Sequence, residues 1–246
     1  MKLHYFILIF ILLCCQDQIG AQTKLTKSEK SFSKIKTKSG TRDETLTNTS
    51  GKRWKARVSF PEKRRTKNSL VIALHWAGGE KAYKDFNDCL VLLALKSLNA
   101  IIISPEGENQ LWSTANNIDK IRAIVTYSKK YWNVNPDKIA ILGYSNGGNG
   151  SWYFAEHYPT LFSAAIPMAS SYPIYKKIAV PLYVIHGEKD ELFSISKTRK
   201  WVEKTKNAGT ELIFASNEAL SHYEGCSYVT ELKRAGIWLQ NLWEEK

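Results

Sequence analysis

Six short apolar runs, at 70–74, 100–104, 138–142, 164–168, 181–185 and 211–214, recur through the chain with helical patterns between them. Runs without polar alternation are strands buried on both faces, and strands that alternate with helices pair in parallel beneath a helix layer on each side. Phe86, Leu90, Leu93 and Ala94 follow helical spacing, as do Ile118, Ile121, Ile124, Val125, Tyr131 and Trp132. The spacing predicts a doubly wound, mostly parallel α/β sheet closed by a helix over 227–243. Residues 54–60 lean toward alternation and read as an edge strand, with Pro61 opening the next turn. Only 170–180 separates two of the late apolar runs, so there is little room for a large lid.

A chain of 246 residues with 43% hydrophobic content can bury one sizeable core. Met1 and Lys2 precede an apolar run from Tyr5 to Cys15, the layout of an export signal over 1–21. Two processing sites fit: cleavage after Ala21, or lipoprotein processing with Cys15 as the lipidated residue and a membrane tether. The expected location is secreted, periplasmic or lipid-anchored. Residues 22–50, rich in Lys, Thr and Ser, read as a basic polar linker or edge segment, with the packed domain over 51–246. The net charge of +12 is concentrated early, since residues 22–67 carry fifteen Lys and Arg against four Asp and Glu. No nucleic-acid motif accompanies this charge, and export argues against such a partner. Cys89 and Cys226 remain after the signal; a bridge and two buried thiols fit equally well.

The run at 138–142 ends in Gly143-Tyr144-Ser145-Asn146-Gly147, and a helical pattern through Trp152, Phe154 and Ala155 comes next. Strand, sharp turn and helix in that order hold a serine exposed at a sheet's edge, which makes Ser145 the candidate nucleophile. A serine hydroxyl needs a base to take its proton. Of five histidines, His4 belongs to the signal, His157 to the helix after Ser145, and His75 and His186 end apolar runs as structural residues. His222, beyond the last run, is the candidate base, because sites of open parallel sheets form past the carboxyl ends of strands. Asp190, four residues after His186, is placed to orient it, with Glu188 and Glu191 as nearby competitors. The oxyanion donors are expected to be the N–H of Asn146 and, from the turn His75-Trp76-Ala77-Gly78-Gly79, that of Ala77. Trp76 and Trp112 are candidate walls of the substrate cleft, or core aromatics.

Together, Leu74-His75-Trp76-Ala77-Gly78-Gly79, Gly143-Tyr144-Ser145-Asn146-Gly147-Gly148, His186-Gly187-Glu188-Lys189-Asp190 and Ser221-His222 resemble the α/β-hydrolase superfamily. The likeness covers about 50–243 and is nearest to the phospholipase/carboxylesterase and polyhydroxybutyrate-depolymerase-like esterases. It implies an acyl-ester hydrolase using Ser145, Asp190 and His222 through an acyl-enzyme, with no metal or cofactor. It also implies Ala77 and Asn146 as the oxyanion hole. Those groups usually carry glycine where this chain has Trp76, which bears on the second donor and the acyl pocket. An open cleft suits a small-molecule ester or one on a bulky or polymeric alcohol such as a glycan. A serine peptidase of the same fold and a non-catalytic exported binding protein are the alternatives.

Overall fold

The structure, a computed structural model, describes residues 24–63, 65–174 and 176–245. The expected export signal over 1–21, with Cys15 and Ala21, lies outside them. No helix among the described residues is long and apolar enough to cross a membrane. One eight-stranded sheet organises the chain: β1 (Gly40–Thr47), β2 (Arg53–Phe60), β3 (Asn68–Leu74), β4 (Ile101–Pro105), β5 (Val134–Tyr144), β6 (Ala164–Met168), β7 (Leu182–Lys189) and β8 (Leu212–Ser221). Their spatial order is β1-β2-β4-β3-β5-β6-β7-β8. β2 pairs antiparallel with β1 and β4, and from β4 to β8 every pairing is parallel.

The inner strands are apolar at every position along 70–74, 101–103 and 139–142 because both faces are covered there. Leu70, Ile72 and Leu74 of β3 enter one core, while Val71 and Ala73 enter the other. The first core is roofed by α4 (Ala115–Tyr131), α5 (Asn146–His157) and α6 (Ile195–Asn207) through residues such as Ile124, Phe154 and Val202. The second is roofed by α2 (Ala82–Phe86), α3 (Leu92–Leu95) and α7 (Val229–Glu244), which supply Phe86, Leu95, Leu232 and Trp243.

Three expectations change. The packed domain begins near residue 26 rather than near 50. Thr26 caps α1 (Lys27–Ser33) by accepting the Glu29 N–H, and Phe32, Ile35 and Leu46 are buried, with the Phe32 ring 5.6 Å from that of Trp132. Three apolar residues suffice because each reaches the core, while the basic residues around them stay in water. Consequently β1 is the edge strand, and β2 lies inside it. Lastly, Leu93 is exposed instead of facing the core, because a π-helical segment at Asn87–Val91 adds a residue to the turn and rotates α3 about its axis.

Candidate active site

Ser145 sits between β5 and α5 with φ 55 and ψ −117, a backbone conformation that costs about 1–3 kcal/mol unless its surroundings enforce it. They do so. The Ser145 N–H donates to the Met168 carbonyl of β6 at 3.0 Å. On either side, a Cβ at Gly143 would stand 2.0 Å from the Gly147 carbonyl oxygen, and one at Gly147 would stand 1.9 Å from that of Leu74. Only glycine lets strand and helix close on each other here. The turn leaves Ser145 at the start of α5, where unpaired N–H groups and the helix dipole favour negative charge.

His222 comes directly after β8. Its Nε2 is 2.9 Å from Ser145 Oγ, and its Nδ1 is 2.9 Å from Asp190 Oδ2. Asp190 comes directly after β7 and is buried; its Oδ1 accepts the N–H groups of Leu192 at 2.9 Å and Phe193 at 2.7 Å. Burial pushes the Asp190 carboxyl up, but the hydrogen bonds from His222 and Phe193 outweigh it and hold the group below the usual carboxylate range. An ionised Asp190 fixes the proton of His222 on Nδ1, so Nε2 presents its lone pair to the Ser145 hydroxyl.

The competing carboxylates do other work. Glu188 accepts from Arg199 and Ser216, whereas Glu191 accepts the backbone N–H of His222 at 2.9 Å. Sequence reasoning missed this last contact and two more on the same loop. The Tyr144 hydroxyl donates to the His222 carbonyl at 2.7 Å, and the Tyr228 hydroxyl donates to that of Ser221 at 3.2 Å. Four residues past His222, Cys226 is bridged to Cys89 of the π-helical segment, with Cα atoms 5.4 Å apart. The spacing of the cysteines left this bridge open.

Ala77 and Asn146 line one cavity of about 390 Å³ beside Ser145. Neither N–H has a backbone acceptor in the turns around the site, among the described residues. The turn carrying Ala77 is held by His75. Gly107 N–H donates to His75 Nε2 at 2.9 Å, which leaves Nδ1–H to donate to the Trp76 carbonyl at 2.6 Å. Burial drives the His75 pKa from the ordinary 6.5 down to about 4, so the ring is neutral. His186, likewise buried and shifted down, donates from Nε2 to the Phe193 carbonyl at 2.7 Å.

Trp76 lines both cavities that contain Ser145. Trp112 lines neither of these but borders a third cavity, about 430 Å³, that shares Leu111, Asn146 and Asn149 with the first. It is buried, with Nε1–H donating to the His75 carbonyl at 3.2 Å and its ring edge-on to His75. A larger cavity, about 770 Å³, lies among β1, β2 and residues 92–102, far in sequence from this chemistry and lined by none of its residues.

The family model of the dienelactone hydrolases matches residues 105–222, a stretch that includes Ser145, Asp190 and His222. Protein usf of Aquifex pyrophilus is 29% identical over 115 residues, 44% of this chain and 50% of that protein. The chain thus spans about half the length of the curated relative it matches. Among solved structures, a thermostable esterase superposes with TM-score 0.69 at 21% identity, over 81% of this chain and 62% of that one. Thermogutta terrifontis esterase 2 gives 0.67 at 14%, over 82% and 95%. The fluorophosphonate-binding serine hydrolase FphF of Staphylococcus aureus gives 0.66 at 13%, over 82% and 99%.

Proposed function

We propose that this chain, which has the α/β-hydrolase fold, is a carboxylic ester hydrolase that works through an acyl-enzyme on Ser145. The observation that carries the reading is the unbroken chain Asp190 Oδ2, His222 Nδ1–H, His222 Nε2, Ser145 Oγ, with both links at 2.9 Å. His222 takes the Ser145 proton as Oγ attacks the ester carbonyl, and Asp190 stabilises the imidazolium that results. The Ala77 and Asn146 N–H groups receive the oxyanion, each contributing about two to three orders of magnitude to the rate. His222 then protonates the departing alcohol, and water attacks the acyl-serine by the same route in reverse. The esterase and serine hydrolase neighbours of the same fold support this reading.

The disulfide between Cys89 and Cys226 supports the further reading that the chain is exported to an oxidising compartment. Mass analysis of the mature amino terminus separates cleavage after Ala21 from a lipidated Cys15, and an intact Met1 would refute both.

Labelling with a fluorophosphonate and hydrolysis of phenyl acetate test the activity. Both are expected in the wild type and absent in Ser145→Ala. Labelling that persists unchanged in that variant would remove the proposed nucleophile.

A further inference from the structure

Ser145 lies at the junction of two cavities of similar size, about 390 and 380 Å³, which share Trp76, Ala77 and Ser145. An ester held on Ser145 places its acyl part in one and its alcohol part in the other. Building on the ester-hydrolase reading, we propose that the cavity lined by His222 takes the leaving alcohol and selects one that bears a flat ring, while the cavity lined by Gln110 and Leu111 takes the acyl group.

The chemistry of collapse decides which arm is which. When the tetrahedral intermediate breaks, the bond from carbonyl carbon to alcohol oxygen is lost. The electron pair stays on that oxygen, and the proton comes from His222 Nε2. The alcohol oxygen therefore has to come within hydrogen-bond reach of His222. His222 lines the second cavity and not the first, whereas Asn146, the oxyanion donor, lines the first and not the second. The acyl carbon chain then leaves on the side of Asn109, Gln110 and Asn149.

A widely exposed aromatic ring sets the alcohol arm apart. In the alcohol arm, Tyr223 is 73% exposed and Leu192 55%, and Trp76 completes the surface. The Trp76 ring reaches from the oxyanion turn to the loop of His222, since a Cβ at Gly225 would stand 3.1 Å from it. Large apolar side chains left open beside a nucleophile favour a flat ring face. Aryl alcohols and sugar rings both offer one. In the acyl arm Leu111, 65% exposed, and Phe193 stand beside Asn109, Gln110 and Asn149, so an acyl chain meets apolar surface there as well as amides.

Two substrate series test this: acetates of phenol, cyclohexanol, ethanol and methyl xyloside, and phenyl esters of acetyl, butyryl and octanoyl acids. Tyr223→Ala, and independently Leu192→Ser, are expected to lower kcat/KM for ring alcohols about tenfold relative to ethyl acetate. The octanoyl-to-acetyl ratio should stay as in the wild type. Leu111→Asn is expected to lower that ratio and leave the alcohol series alone. Whether phenyl acetate or the acetylated xyloside suffers more in Tyr223→Ala identifies the source of the ring. The proposal is overturned if the Tyr223 and Leu192 variants slow all acetates equally, or if the two sets of variants exchange effects. A wild type that hydrolyses no ester and takes no fluorophosphonate at Ser145 sinks the ester-hydrolase reading, and this proposal with it.

Discussion

The Tyr144 hydroxyl, one residue before Ser145 in sequence, donates 2.7 Å to the carbonyl of His222, so the turn that presents the hydroxyl also holds the loop that presents the imidazole. Burial raises the Tyr144 pKa, which keeps this donor protonated across the working pH range. Tyr144→Phe keeps the ring and removes the bond. Esterase kcat is expected to fall about three- to tenfold with KM nearly unchanged, because what is lost is placement of His222 rather than a contact to substrate.

Asp190→Asn is expected to cost more. The amide cannot stabilise an imidazolium, and its NH2 group facing Nδ1 would drive the His222 proton to Nε2. The predicted loss in kcat is about 10³–10⁴, with phenyl acetate as substrate and retained near-UV circular dichroism as the control for folding.

Acid should weaken the fold before any carboxylate titrates fully. The His75 pKa is about 4 in the folded protein against an ordinary 6.5, so the unfolded chain takes up the proton first as pH falls. This contribution to stability is complete above pH 6.5 and declines toward pH 4, by about 1.4 kcal/mol per pH unit for one proton. His186 acts in the same direction. Asp190 works in a lower window, because its depressed pKa sustains stability until pH drops below the unfolded carboxylate value near 3.8. Urea titrations at stepped pH should therefore show a slope between pH 6.5 and 4 that is shallower in His75→Gln. An unchanged slope would mean that His75 already shares its unfolded pKa.

The Cys89–Cys226 bridge closes a span of 137 residues. Chain-entropy reasoning puts the loss on removing such a cross-link at about 5 kcal/mol. The double variant Cys89→Ser, Cys226→Ser is expected to unfold at lower urea, with an additional fall in esterase kcat because Cys226 ends the loop that begins at His222. Treatment with reductant should reproduce both effects in the wild type and neither in the variant.

Much of this arrangement was legible beforehand for a physical reason. A parallel sheet collects the loops that leave its strand ends, so residues just past 138–142, 181–185 and 211–214 had to converge, and Ser145, Asp190 and His222 do. Trp76 and Trp112 could not be told apart in the same way, because the same residue type serves at a cleft and in a core. Nor could Tyr144 be read as a brace for His222, or Cys89 as the partner of Cys226, since each contact joins residues more than seventy positions apart. The early segment misled for a different reason. Composition averages over residues, and Phe32, Ile35 and Leu46 are few among many lysines and threonines, yet each is buried.

The elbow at Ser145 has a practical corollary. Its backbone is fixed by interlocking contacts, with Gly143 against Gly147, Gly147 against Leu74, and the Ser145 N–H on Met168, and its hydroxyl is then held by His222 Nε2. Reactivity at this one atom therefore reports on three neighbouring strands at once. Fluorophosphonate capture, followed as the protein is warmed, would act as a gauge of cooperative melting in samples too crude for spectroscopy.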